Sequence, residues 1–337
     1  MLLRIFKYNA TAGYLLIPLL TVIAWWPSLV SGSYQQMAFD LNPMPLYKLI
    51  TGYFPHNSIT SNIIAMLLVI LSGFYLIRLN NKYLFIRERT LLPAFFFIGI
   101  VSSLTPLHRL NPAIIAMLFL FLAVDRLLAS YKTERLSYSY FEAPFLIGVG
   151  SLFYFNLIWF VILVWAAILI LRPVIWREWV FSILGLVTPW VFFLATDYFM
   201  HDSLEWSIGA IAGNFVTRDA FMFIFLPEKI FLSFLLLLIL FASRRIISSM
   251  PAMKVLSRKI FLLFFWIFAI SMATFFVFET ANIELAFLAA IPVAFLLSHY
   301  VLSKRKGFWP NVILWSIVAG MLILTWLPVI MRTTSSF

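Results

Sequence analysis

The stretch Ala143-Pro-Phe-Leu-Ile-Gly-Val-Gly-Ser-Leu-Phe-Tyr-Phe-Asn156-Leu-Ile-Trp-Phe-Val-Ile-Leu-Val-Trp-Ala-Ala-Ile-Leu-Ile-Leu171 decides how this chain is read, because it carries no charge. A membrane-crossing helix needs about 20 apolar residues, so the block is long for one crossing and short for two. Its flanks resolve the ambiguity. Arg126, Lys132 and Arg135 precede it, and Arg172 and Arg177 follow it. Basic loops collect on the cytoplasmic side of a membrane, so both flanks want the same side. The block therefore reads as a hairpin, 143–156 and 157–171, turning near Tyr154-Phe155-Asn156.

The same logic extends along the chain. Apolar segments lie at 13–31, 59–77, 90–105, 112–129, 143–156, 157–171, 179–197, 227–243, 260–278, 282–301 and 309–331. With the N-terminus inside, the outer loops hold Lys48, Arg109, Arg218, Lys229 and Arg332, and the other 19 of the 24 Lys and Arg residues fall in the inner set. The expected fold is all-α: a polytopic transmembrane helical bundle of about 11 spans, N-terminus inside and C-terminus outside, forming one domain over residues 1–337. Composition agrees. The chain is 64% hydrophobic and 11% charged, with a mean hydropathy of +1.02. A soluble protein needs far more polar surface than that. The net charge of +11 flanks apolar spans as membrane anchors do, which argues against a nucleic-acid partner. With no cysteine there is no disulfide or thiolate chemistry. The first apolar run resembles a secretory signal, with Ser31-Gly32-Ser33 as a small-residue cluster. Its length and the spans that follow favour an uncleaved first helix.

Acids run opposite to bases. Asp40, Asp197, Asp202, Glu205, Asp219, Glu228, Glu279 and Glu284 are outer, as are His56, His108 and His201. The first outer loop mixes Asp40, Lys48 and His56 with apolar residues, and Met44 to Phe54 suits an amphipathic interfacial helix with Lys48 snorkelling. Asp40 is the candidate general base; the bland alternative is a helix cap in Asp40-Leu-Asn-Pro. In Thr105-Pro-Leu-His108-Arg109-Leu-Asn-Pro112, two prolines stiffen an outer turn. A guanidinium held beside a histidine suits a phosphate or carboxylate, unless Arg109 simply meets headgroups or helix carbonyls. Asp197, His201 and Glu205 are four apart and would share a face of a continuing helix, a weak metal-ligand pattern or the wet side of an interfacial helix. No cofactor is expected. Arg218-Asp219 and Glu228-Lys229 read as surface pairs. Glu284 would couple protons only if its short turn sinks. Gly148-Val-Gly-Ser151 is the strongest small-residue packing motif.

Three stretches carry a resemblance: Leu110-Asn-Pro to Asp125-Arg126-Leu-Leu; Phe145-Leu-Ile-Gly-Val-Gly-Ser-Leu-Phe-Tyr154; and Leu171-Arg-Pro-Val-Ile-Trp-Arg177-Glu178-Trp followed by Gly185-Leu-Val-Thr-Pro189. In that order they resemble an uncharacterised family of polytopic bacterial inner-membrane proteins, over about residues 1–245. More distantly, the plan resembles the GT-C glycosyltransferases, which use polyprenyl-linked sugar donors and carry an acid in the first outer loop, here Asp40. The family resemblance implies an integral inner-membrane protein with no established activity. The reading favoured here is a cell-envelope protein acting at the outer leaflet on a lipid-linked glycan or lipid. In an enzyme version Asp40, which matches the GT-C acid by position, would be the base, and His108, Arg109 and Arg218 would hold a lipid phosphate, with Lys48 and His56 alongside. Partners would be membrane lipids, a polyprenyl-phosphate-linked substrate and other envelope proteins. Two further classes stay open: a non-enzymatic scaffold or assembly subunit, and a lipid or small-solute transporter.

Overall fold

The structure, a computed structural model, describes residues 3, 6, 11–31, 43–54, 58–86, 88–131, 138–201, 205–214, 226–278, 283–303 and 308–335. Among these it is helical throughout, with no strand. The helices are α1 (Thr11–Ser31), α2 (Pro45–Tyr53), α3 (Ile59–Tyr83), α4 (Leu92–Ser102), α5 (Pro112–Ala129), α6 (Ser139–Ser151), α7 (Val161–Leu171), α8 (Trp176–His201), α9 (Glu205–Gly213), α10 (Leu226–Ser249), α11 (Val255–Val277), α12 (Ala286–Ser303) and α13 (Phe308–Ser335). Each apolar segment read from the sequence coincides with one of them. Eight helical segments are long and apolar enough to cross a membrane, which fits a multi-pass membrane protein.

The remaining three segments are short: α4, α6, and α7 with its leading 3-10 turn Phe155–Phe160. Every residue of α4 is buried. At about 1.5 Å per residue, 11 residues reach only half the thickness of a bilayer core. Helix α4 ends at Ser102, and Pro106 cannot extend it, having no N–H to donate to the Ser102 carbonyl. The chain continues through a 3-10 turn, Thr105–Leu107, into Asn111, whose side chain caps α5 by accepting from the Ile114 amide at 3.0 Å. Such irregular backbone is tolerated in apolar surroundings only when packed inside protein. The turn meets that condition, for Thr105, Leu107, His108, Arg109, Leu110 and Asn111 are all buried.

The 143–171 block breaks in two, with its turn at Leu152–Tyr154, slightly before the predicted position. Both flanks return to one end. Arg172 pairs with Glu178 at 3.2 Å, Arg126 with Glu142 at 3.3 Å, and the Ser130 hydroxyl donates to Tyr140 at 3.0 Å. The tip lies at the other end, where the Leu46 amide donates to the Leu152 carbonyl at 3.2 Å. Helix α8 lies along α6 because glycines remove the side chains between them. A Cβ on Gly148 would sit 2.7 Å from the Leu186 carbonyl oxygen, and one on Gly185 would strike the Phe141 carbonyl oxygen. Trp–Ser hydrogen bonds tie α8 to both arms of the hairpin: Trp190 Nε1 donates to Ser151 of α6 at 2.9 Å, and Trp165 Nε1 of α7 to Ser182 at 3.1 Å. The rest of the bundle packs around α4, which touches α1, α3, α12 and α13.

Candidate functional site

Contacts sort the polar residues into two ends. One end holds Lys82 on Asp125, Arg126 on Glu142, Arg172 on Glu178, and Lys259 Nζ donating to the Leu171 carbonyl at 2.9 Å. These bases all belong to the predicted inner loops. The opposite end is built around the Thr105–Asn111 turn, the candidate site.

That turn is held from every side. Its core is His108, whose ring lies flat on Trp25 with centroids 4.3 Å apart. The Ser102 carbonyl can only accept, so His108 Nε2–H donates to it at 3.0 Å, and Nδ1 then accepts from the Ser28 hydroxyl at 2.6 Å. Both ring nitrogens are thus occupied by protein. Burial pushes the His108 pKa down to about 4, against the smaller opposing pull of the Ser102 carbonyl, so the ring is neutral near pH 7. Trp25 Nε1 donates to Ser102 Oγ at 3.0 Å, and Asn62 donates to the Ser28 carbonyl at 3.1 Å. From α3, the Ser61 hydroxyl accepts from the Leu110 amide at 3.3 Å; from α2, the Tyr47 hydroxyl donates to the Leu110 carbonyl at 3.0 Å.

Arg109 follows His108 and is only 9% exposed. Burial lowers its pKa, yet a guanidinium stays protonated at any physiological pH. Carboxylates converge on the same turn. Glu228, at the start of α10, accepts from the Thr105 hydroxyl at 2.9 Å and is buried. The 3-10 turn Ile283–Leu285 packs against Thr105–Leu107 and brings in buried Glu284. One correction follows. Glu228 is not half of a surface pair with Lys229: the acid is buried while Lys229 is exposed. For Glu284, whose setting the sequence left open, the finding is burial within protein at 1% exposure. Nothing in the local sequence signals either, because both acids are covered by residues more than 100 positions away.

The other predicted residues distribute as follows. Lys48 sits exposed on α2, whose Tyr47 faces inward. Asp40, His56 and Arg218 lie outside the described residues, so their convergence with Arg109 is not on view. Asp197 is buried near the end of α8. His201 is the last described residue of that helix and Glu205 the first of the next described one, with the residues between them outside the described set. Among the described residues, no group of three His, Cys, Asp or Glu is placed to hold a metal. Chemically, the turn presents a fixed, desolvated cation within a carboxylate-bearing shell, which suits charge-assisted hydrogen bonding to an oxyanion.

No curated protein and no solved structure matches the chain. The sequence resemblance was expected over residues 1–245, whereas a match to one protein family begins after α1 and runs almost to the C-terminus. Residues 37–333 match a family of unknown function, DUF6427, and the chain belongs to that family.

Proposed function

We propose that this is a bacterial inner-membrane protein of about eleven crossings, N-terminus inside and C-terminus outside, that binds a phosphate-bearing lipid at its outer end. The substrate class that suits it is a polyprenyl-phosphate-linked glycan or related envelope lipid, handled as a GT-C-like transferase would handle it. Arg109 is the phosphate ligand, with Arg218, Lys48 and His56 as outer-loop candidates beside it. Asp40 is the candidate base for an acceptor hydroxyl. His108 acts through Arg109 by fixing the turn, since its own nitrogens are engaged. The observation that carries this reading is Arg109 itself, a guanidinium 9% exposed on a turn that neighbouring helices hydrogen-bond on every side. A pre-positioned cation in a dry site gains more from an oxyanion than one in water.

The test is binding of a polyprenyl phosphate to the detergent-solubilised protein. Arg109→Gln is expected to weaken it roughly tenfold or more, and Arg109→Lys, which keeps the buried charge, less. Unaltered binding in Arg109→Gln removes the reading. Asp40→Asn should leave lipid binding intact while abolishing any transfer. A second reading has its own observation: Glu228 and Glu284 are 3% and 1% exposed, as proton-coupling carboxylates of a transporter are. It requires proton flux in reconstituted vesicles that Glu284→Gln abolishes. If lipid binding and proton flux are both absent, a scaffold or assembly role takes precedence.

A further inference from the structure

The basic end carries a groove unconnected with the outer-end reading. It lies between α1 and α3, has a volume of about 520 Å³, and is lined by Tyr14, Phe74, Ile77, Arg78, Asn81 and Lys82. The α3 residues recur at three- and four-residue spacing, so one helix face supplies the wall. Tyr14 and Phe74 stack across it with centroids 6.2 Å apart.

The polar groups of this groove are unequal. Lys82 is committed: its ammonium contacts both Asp125 oxygens, at 2.7 and 2.9 Å, and Tyr83 donates to the same carboxylate at 2.8 Å. Arg78 is exposed, its guanidinium 5.8 Å from the Tyr75 ring centroid, with no carboxylate in ion-pair range among the described residues. It carries the net positive charge of the groove. Asn81 Oδ1 is buried and accepts no hydrogen bond from any described residue. A buried acceptor without a donor is costly, and native structures rarely leave one so. The groove therefore offers a cation and an aromatic and aliphatic wall, with the Asn81 acceptor buried beneath the lining until its side chain turns toward a donor.

We propose that this groove is a glycerophospholipid site. The lipid phosphate sits on Arg78, and a donor in the headgroup, a primary ammonium or a hydroxyl, satisfies Asn81 Oδ1. The upper acyl chain lies along Ile77 and Phe74. A quaternary ammonium has no hydrogen to donate, so choline lipids fit the charge but not the acceptor. A free phosphate matches Arg78 alone and leaves the apolar wall bare.

Native mass spectrometry of the protein released from nanodiscs tests this. Discs of phosphatidylethanolamine or phosphatidylglycerol are expected to leave one retained lipid, and discs of phosphatidylcholine several-fold less. Arg78→Gln should cut retention roughly tenfold or more. Asn81→Leu should abolish the preference for ethanolamine over choline while keeping residual binding. Lys82→Gln should change retention less than Arg78→Gln. Equal retention of choline and ethanolamine lipids by the unmodified protein overturns the assignment of Asn81. Equal retention by Arg78→Gln overturns the site. Displacement of the lipid by millimolar inorganic phosphate identifies a free-anion site instead and also overturns it. The headgroup comparison uses unmodified protein, so it decides even where a variant misfolds. Arg78→Gln is expected to leave polyprenyl-phosphate binding at Arg109 untouched, which separates failure here from failure of the outer-end reading.

Discussion

Arg172 and Glu178 show what a single pair of residues can commit. Their side chains are 3% and 0% exposed, and they meet at 3.2 Å. Breaking such a pair by removing one partner strands the other charge, at a cost of about 3–5 kcal/mol, whereas replacing both by apolar residues is often neutral. Arg172→Ala is therefore expected to lower the melting temperature in detergent sharply, and Arg172→Met with Glu178→Leu to recover most of it. Equal losses in the two would mean that the pair is not the determinant. His108 makes a different commitment. Its folded-state pKa of about 4 lies below the ordinary 6.5, so the unfolded chain takes up the proton first as pH falls. The stability it contributes is complete above about pH 6.5 and is lost as pH drops towards 4, about 3 kcal/mol in all. Melting across that range should show a slope that flattens in His108→Gln. His108 was legible as a special residue from its two flanking prolines. Its partners Ser28 and Trp25 were not, since they lie about 80 positions away.

At the scale of the element, the hairpin and α8 form one seam set by glycine. The Gly148-Val-Gly-Ser151 motif was readable as packing, but its counterpart Gly185 became visible only once the crossing was known. Because the obstructing atoms are backbone carbonyls, a methyl group cannot be accommodated by a rotamer change. Gly185→Ala is expected to cost about 1–3 kcal/mol by overpacking. Gly52→Ala, with nothing within 4 Å of the new Cβ, is expected to be neutral or slightly stabilising, since Ala is the better helix former. Thermal melting of the two variants side by side checks both. The residues Arg172 to Trp179, quoted above for a family resemblance, now have a physical role as well: they turn the chain from α7 into α8 around the buried pair. Helix α4 is the element where sequence reading overreached. Hydropathy continued to residue 105, but the helix ended at Ser102 and the chain turned inward.

For the whole molecule, the decisive property is the separation of two polar ends. Lys82, Arg126, Arg172 and Lys259 make their contacts at one end; Arg109, Glu228 and Glu284 gather at the other. Broad apolar surfaces lie between, and α8 buries only 17% of its most apolar window. Lipid is the solvent that suits such a surface. The chain has no cysteine, so single-cysteine variants report orientation cleanly. Tyr53 and Tyr138 are 82% and 72% exposed, at opposite ends. A membrane-impermeant maleimide is expected to label Tyr53→Cys in intact spheroplasts and Tyr138→Cys only after lysis. The reverse pattern would invert the proposed orientation.

Hydrophobic length and charge placement are local properties, so the sequence by itself determined the helical segments and the hairpin. Those signals depend on each residue's own transfer energy and survive without knowledge of neighbours. Burial of a charge depends on which distant surfaces cover it. Only the tertiary structure therefore decided that Glu228 and Glu284 are interior, that Arg109 is desolvated, that His108 is a neutral brace, and that Arg78 and Asn81 share a groove. The Thr105–Glu228 hydrogen bond spans 123 positions, and no pattern within a single helix encodes it.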